Sequence, residues 1–166
     1  MKKNFKRRDF LKKAGIGAAA ATAVSSFPAP AIAAERIEVN CVATWGRGYP
    51  GLGTGAEAVS QRISDLSDGR IVVNHFAGGE RVGPLDVFTE VTSGNAQMYN
   101  SAEYYWVGQH PGWGFFAAVP FGMIATEING WIRHGGGQEL WDELGDEFGL
   151  KNFMAGNSGV QMGGWF

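Results

Sequence analysis

"RIEVNCVATWGRGYPGLGTGAEAVSQRISDLSDGRIVVNHF", residues 36–76, decides the fold. It opens on an alternation in which Ile37, Val39, Cys41 and Ala43 share one side of an extended chain, the pattern of a strand. After the loop "TWGRGYPG", Ala56, Val59, Ile63 and Leu66 recur at helical spacing, and Asp68-Gly69 supplies the stop. "RIVVNHF" (70–76) then reads as a second strand. Strands alternating with helices favour an α/β layered fold on a mainly parallel sheet.

The alternation continues downstream. "GPLDVFTEVTSG" places Pro84 in the first turn of a short helix that closes at Gly94, and "NAQMYNSA" reads as a brief third strand leading into "EYYWVGQHPGW". Ile128, Trp131, Ile132, Leu140, Trp141, Leu144 and Phe148 predict two helices broken at Gly135-Gly136-Gly137. "LKNFMAG" and "VQMGGWF" are expected as closing strands. Glycine is abundant, 26 of 166 residues, and clusters at element boundaries, as turns and close backbone approaches require.

Upstream the chain has another character. Seven of the fourteen Lys/Arg lie within residues 2–13, against one acid, Asp9. The apolar run 14–24 and a small-residue exit at Ala31-Ile32-Ala33 complete the layout of a secretory signal over 1–33. "RRDFLKK", with paired Arg7 and Arg8, marks a twin-arginine signal and so a periplasmic destination. The remaining segment, 34–166, is long enough for one small core and carries seven basic against fifteen acidic side chains, a net charge of −8. That balance argues against nucleic acid or an anionic lipid surface as partner. The lone Cys41 has no disulfide partner in the chain and reads as a buried structural thiol.

Catalytic patterns are sparse. His75, His110 and His134 stand in no zinc or copper ligand spacing and read as ordinary loop histidines, and "GNSGV" around Ser158 is not a nucleophile elbow. "GLGTGA" (51–56) satisfies G-x-G-x-x-G/A between a strand and a helix. Against dinucleotide binding stand the long preceding loop, the crowding Trp45 and Tyr49, and the lack of an acid after "VNHF" for a ribose hydroxyl. The distinctive feature is aromatic: Tyr99, Tyr104, Tyr105, Trp106, Trp113, Phe115, Phe116 and Phe121 share one short stretch, part core and part suited to lining a small-ligand pocket. Asn157 and Gln161 stand on an expected strand edge and offer neutral oxygens that, with a substrate carboxylate, complete the shell of a hard cation.

"FFAAVPFGM…WIRHGGGQELWDEL…FGLKNFMAGNSGVQMGGWF" resembles the solute-binding subunit of tripartite ATP-independent periplasmic (TRAP) transporters, the DctP family, in its 2-oxo-acid (pyruvate- and lactate-type) branch. The resemblance runs from about Glu35 to the last residue. It implies a periplasmic-binding-protein-like lobe, one half of a two-lobed α/β protein that is not an enzyme. Such a protein closes on a small 2-oxo or 2-hydroxy monocarboxylate and delivers it to a sodium-coupled membrane permease, with a homodimer left open. Carried over by position, Gln161 matches the ligand of a sodium or calcium ion bridging protein and substrate. Tyr104, with Tyr105, matches the hydroxyl near the substrate, and Asn157 lies on the same edge. The family's carboxylate-binding arginine would fall beyond Phe166, so 34–166 is expected to be an N-terminal lobe cut before the second. The alternative is an exported α/β oxidoreductase with a bound cofactor.

Overall fold

The computed structural model describes residues 36–159. The signal segment, Gln161 and the strand expected from Val160 onward lie outside them. Three parallel strands form the sheet: β1 (Ile37–Ala43), β2 (Ile71–Phe76) and β3 (Met98–Asn100), in the order β2-β1-β3. Cys41 pairs with His75 on one side and with Met98 on the other. The parallel sheet expected from the strand–helix–strand unit is therefore present.

β1 does not keep the clean alternation its sequence indicates. Ile37 is half exposed, whereas Cys41, Val42 and Ala43 are all buried. The far end of a central parallel strand is covered on both faces, and its side chains bury irrespective of parity. Helix α1 (Leu52–Leu66) packs on β2 and buries Gly53, Ala56 and Ser60, the last beside His75 of β2, while Leu66 is 87% exposed. The last turn of α1 is fixed by hydroxyls instead. Ser64 Oγ accepts from Val73 N–H (3.1 Å) and Ser67 Oγ from Ile71 N–H (2.9 Å), satisfying donors along β2, which has a strand neighbour on one side only. Asp68 (φ 52°) and Gly69 (φ 74°) then turn the chain.

Helix α2 (Val87–Thr92) starts later than expected: Pro84 belongs to the preceding turn, closed by Asp86 N–H on Gly83 O (2.9 Å). Past β3 come two 3-10 turns, Glu103–Trp106 and Pro111–Phe116, then α3 (Ala125–His134) and α4 (Gly137–Asp146). The break between α3 and α4 is as expected. Gly136 takes φ 85°, and a Cβ on Gly137 would press on the Ile132 backbone and the Trp131 ring.

The core joins Val42, Val87, Phe88, Trp106, Trp113, Ile132, Trp141 and Leu144, so α2, both 3-10 turns, α3 and α4 share one hydrophobic body with β1. "LKNFMAG" is not a strand. Gly149 (φ 68°) reverses the chain and Leu150 N–H returns to Gly145 O (2.9 Å). Buried Asn152 then donates to Trp141 O (3.3 Å) and accepts at its own carbonyl from Gln138 (2.9 Å). Backbone groups that a strand would offer to the sheet are held on α4.

Candidate functional site

Because the strands are parallel, their C-terminal ends share one edge. The chain leaves β1 for α1 and β2, on one side of it, and leaves β3, on the other, for the 3-10 turns. Loops that part in this way open a crevice at the carboxyl ends of adjacent strands, where α/β sheets take ligands. Two hydroxyls hold the seam: Thr44 Oγ1 and Ser101 Oγ lie 2.7 Å apart, and Thr44 N–H donates to Asn100 O (3.1 Å).

The first 3-10 turn follows at once. Tyr104 and Tyr105 are 40% and 39% exposed, with ring centroids 4.6 Å apart and planes at 63°. A hydrogen bond with Tyr105, helped by partial burial, pushes the Tyr104 hydroxyl up to about 12. It is therefore a neutral donor throughout the physiological range. Beside them Glu103 is buried, accepts from the Tyr99 hydroxyl and is pushed up to about 7 by desolvation.

At the β1–β2 side the loops are latched. Arg47 grips Glu80 bidentately, at 2.8 Å and 2.7 Å, and Gly78 N–H donates to Trp45 O (2.8 Å). The Arg47 hydrogen bonds, followed by the Ala77 N–H, hold the Glu80 carboxyl down at about 2. Arg47 is thus occupied by a protein carboxylate. The "GLGTGA" glycines serve packing: a Cβ on Gly53 would collide with Gly46 O, so the start of α1 closes on the loop itself. Glu57 accepts from Gly48 N–H (3.0 Å) within that loop. A backbone so occupied leaves no cradle for a pyrophosphate.

The remaining chemistry is structural. His75 lies in β2 with Nδ1 3.0 Å from buried Ser60 Oγ, and burial lowers its pKa. Burial pushes the Cys41 thiol up to about 11, which makes it a poor nucleophile. His110 Nδ1 caps Gly112 N–H (3.1 Å), and His134 sits in the last turn of α3; of the three histidines only His110 is in a connecting segment. A separate hollow of about 530 Å³ is lined by Phe115, Phe116, Trp131, Leu140 and Leu144, with His110 the polar contributor. An apolar hollow of this kind offers a small carboxylate almost nothing to pair with.

The profile of DctP, bacterial extracellular solute-binding protein family 7, matches residues 43–165. The chain belongs to this family. It is 33% identical, over 97% of its length, to the monocarboxylate 2-oxoacid-binding periplasmic protein of Nostoc sp. (strain PCC 7120), of which it spans 45%. Two crystal structures of TRAP periplasmic solute-binding proteins are similar. That from Colwellia psychrerythraea, with bound calcium and pyruvate, is 37% identical with a TM-score of 0.76. That from Pseudoalteromonas atlantica T6c, with bound sodium and pyruvate, is 39% identical with the same TM-score. Each match covers 79% of this chain and 40% of the other.

In this DctP-family chain the expected site residues fare differently. Tyr104 and Tyr105 stand together at the β3 end of the sheet edge. Asn157 is exposed in an extended stretch with no strand pairing, and its Oδ1 accepts from Gly159 N–H (2.6 Å); none of the described hydrogen bonds joins it to the tyrosines. Among the described residues Asn157 lies in no strand. Gln161 lies outside the described residues. Among those described, no group of three or more His, Cys, Asp or Glu could hold a metal ion, and neutral hydroxyls alone do not form a hard cation's shell. Sequence reasoning missed Thr44, Ser101 and Glu103. The available signal was their place, since each follows a parallel strand at its C-terminal end.

Proposed function

We propose that the protein carrying this sequence is the solute-binding component of a TRAP transporter and binds a small 2-oxo or 2-hydroxy monocarboxylate without catalysis. Residues 1–33 serve as a twin-arginine signal to the periplasm, and 34–166 form one lobe of two. That this chain spans 45% of its Nostoc relative supports the second assignment. Tyr104 and Tyr105 donate to the ligand, Asn157 and Gln161 approach it from the C-terminal stretch, and Gln161 contributes one oxygen to a sodium or calcium ion. The ion, when bound, offsets carboxylate charge. The partners downstream are the TRAP permease subunits, with pairing into a homodimer included.

One observation carries this: Tyr104 and Tyr105 pack together, partly exposed, in the turn that follows β3, and relatives of the chain were crystallised with pyruvate. The test is calorimetry with pyruvate and lactate, in sodium and then calcium buffer, on the product of the complete reading frame and on the 166-residue chain. The complete product is expected to bind pyruvate in an ion-dependent manner with no turnover. The shorter chain, without a charge-assisted clamp worth about 2–5 kcal/mol, should bind at least a hundredfold more weakly. Equal affinity for both overturns the two-lobe assignment; flavin absorbance together with turnover of the acid replaces transport by the oxidoreductase. Export is tested in the same expression system, where Arg7→Lys with Arg8→Lys should leave the precursor in the cytoplasm.

A further inference from the structure

An acid at the start of a helical turn ordinarily points to solvent, where it meets the exposed N–H groups of the turn. Glu103 opens the turn Glu103–Trp106 and is only 8% exposed. Its oxygens lie 3.2 Å and 3.3 Å from the Tyr99 hydroxyl, so one donor serves both. Tyr99 is anchored in β3 opposite Val42 of β1, and its ring stands 6.3 Å from both Phe88 and Trp106. Phe88 from α2 and Trp106 from the turn itself pack on each other at 5.2 Å beside that ring, and Tyr99 is the titratable side chain that faces Glu103.

This contact fixes a bend. Three residues lie between Tyr99 and Glu103, and the chain between them leaves the sheet through Ser101, the partner of Thr44. Tyr104 and Tyr105 come next, and the ring contacts that hold them are with each other and, for Tyr105, with Trp106 at 6.2 Å. The direction of their hydroxyls therefore follows from how Glu103 is tied down.

We propose that Glu103, locked by the Tyr99 hydroxyl, is a positioning residue that aims Tyr104 and Tyr105 at a carboxylate ligand on the β1–β3 seam. This rests on the carboxylate reading of the site. Burial supports it, because a carboxyl pushed up to about 7 carries less negative charge near neutral pH than an ordinary glutamate and is largely uncharged below it, which reduces repulsion of an anion. A protonated Glu103 also supplies a second hydrogen to the pair with Tyr99.

The chain has four tyrosines, so labelling at the ring Cζ resolves each hydroxyl by NMR. In the wild-type chain the Tyr99 signal is expected to step near pH 7 as Glu103 titrates, and the step should vanish in Glu103→Gln. The Tyr104 and Tyr105 signals should stay at their wild-type positions in Glu103→Gln, which keeps the hydrogen bond, and move toward free tyrosine in Glu103→Ala. A merely structural acid would also give the Tyr99 step, but it would not move Tyr104 and Tyr105 in Glu103→Ala with rescue by glutamine. A Tyr99 step that persists in Glu103→Gln, or Tyr104 and Tyr105 signals unmoved in Glu103→Ala, overturns the proposal. Should Glu103→Ala fail to fold, Tyr99→Phe takes its place: it removes the hydroxyl that locks Glu103 and should move the Tyr104 and Tyr105 signals, and signals that stay put overturn the proposal. Pyruvate is added last, to the complete protein. Tyrosine signals that follow Glu103 as expected but ignore pyruvate at every pH overturn the carboxylate reading, and with it the ligand named in the proposal, while the bend remains demonstrated.

Discussion

The sheet edge and the helical cap are held together by different means. At the edge hydroxyls and charges are paired: Thr44 with Ser101, Glu103 with Tyr99, and the exposed Arg47 with Glu80. In the cap Phe116 stacks on Trp131 (5.7 Å, 16°) and Trp141 (5.3 Å, 4°), and the indole nitrogens of Trp113 and Trp141 are buried without a hydrogen-bond partner, as are Trp106 Nε1 and His75 Nε2 on the sheet side. An unsatisfied buried donor costs about 1–3 kcal/mol. Burying a tryptophan removes on the order of 200 Å² of surface, which at about 25 cal/mol per Å² is worth about 5 kcal/mol. Area wins, so the cap tolerates orphaned donors. The lesson is a division of labour: the cap holds together by non-directional packing, and the edge by directional bonds between polar groups.

The largest effect that could break this contrast is in the cap. Trp113 is fully buried, 5.8 Å from Phe88 and 5.5 Å from Phe148. Trp113→Ala should cost about 3–5 kcal/mol in urea unfolding. A loss below 1 kcal/mol would mean that packing in the cap is not what stabilises the lobe. A middle-sized effect sharpens it at the edge. A Cβ on Gly78 would overlap the Thr44 carbonyl, so Gly78→Ala must push the two loops apart, at about 1–3 kcal/mol. The same substitution should loosen the Thr44–Ser101 pair, read as faster amide exchange at Thr44. The smallest is the latch, because exposed ion pairs contribute little. Arg47→Ala should leave the melting midpoint close to wild type. The Glu80 carboxyl should nevertheless rise from about 2 toward the ordinary carboxylate range, measurable by carboxyl-carbon NMR, and the Ala77 amide that donates to it (2.9 Å) should exchange faster.

Much of the fold was legible because its signals are local. The alternation that marks β1 as a strand, the spacing near 3.6 in α1, and the glycine break between α3 and α4 are all signals carried within a few residues. The misses were long-range. Leu66 fits the apolar spacing of α1 yet points to water, because that turn is tied to β2 by serine hydroxyls that the period cannot register. "LKNFMAG" has the composition of a strand, but its backbone is held by Asn152 and Gln138 on α4. Of the candidate site, the tyrosine pair was visible as aromatics with a polar tip. The place of Glu103 after β3 was readable but its burial was not, since a single glutamate carries no mark of burial.

By itself the amino-acid order determined the class of the fold, the parallel pairing, the family and the aromatic weight of the core, because period, glycine placement and motif are properties of neighbouring residues. Tertiary structure alone decided which aromatics fill the cap and which reach the edge, that Arg47 is held by Glu80, and that Glu103 turns inward under Tyr104 and Tyr105. Those outcomes depend on desolvation and on partners distant in the chain, which exist only once strands and helices have met.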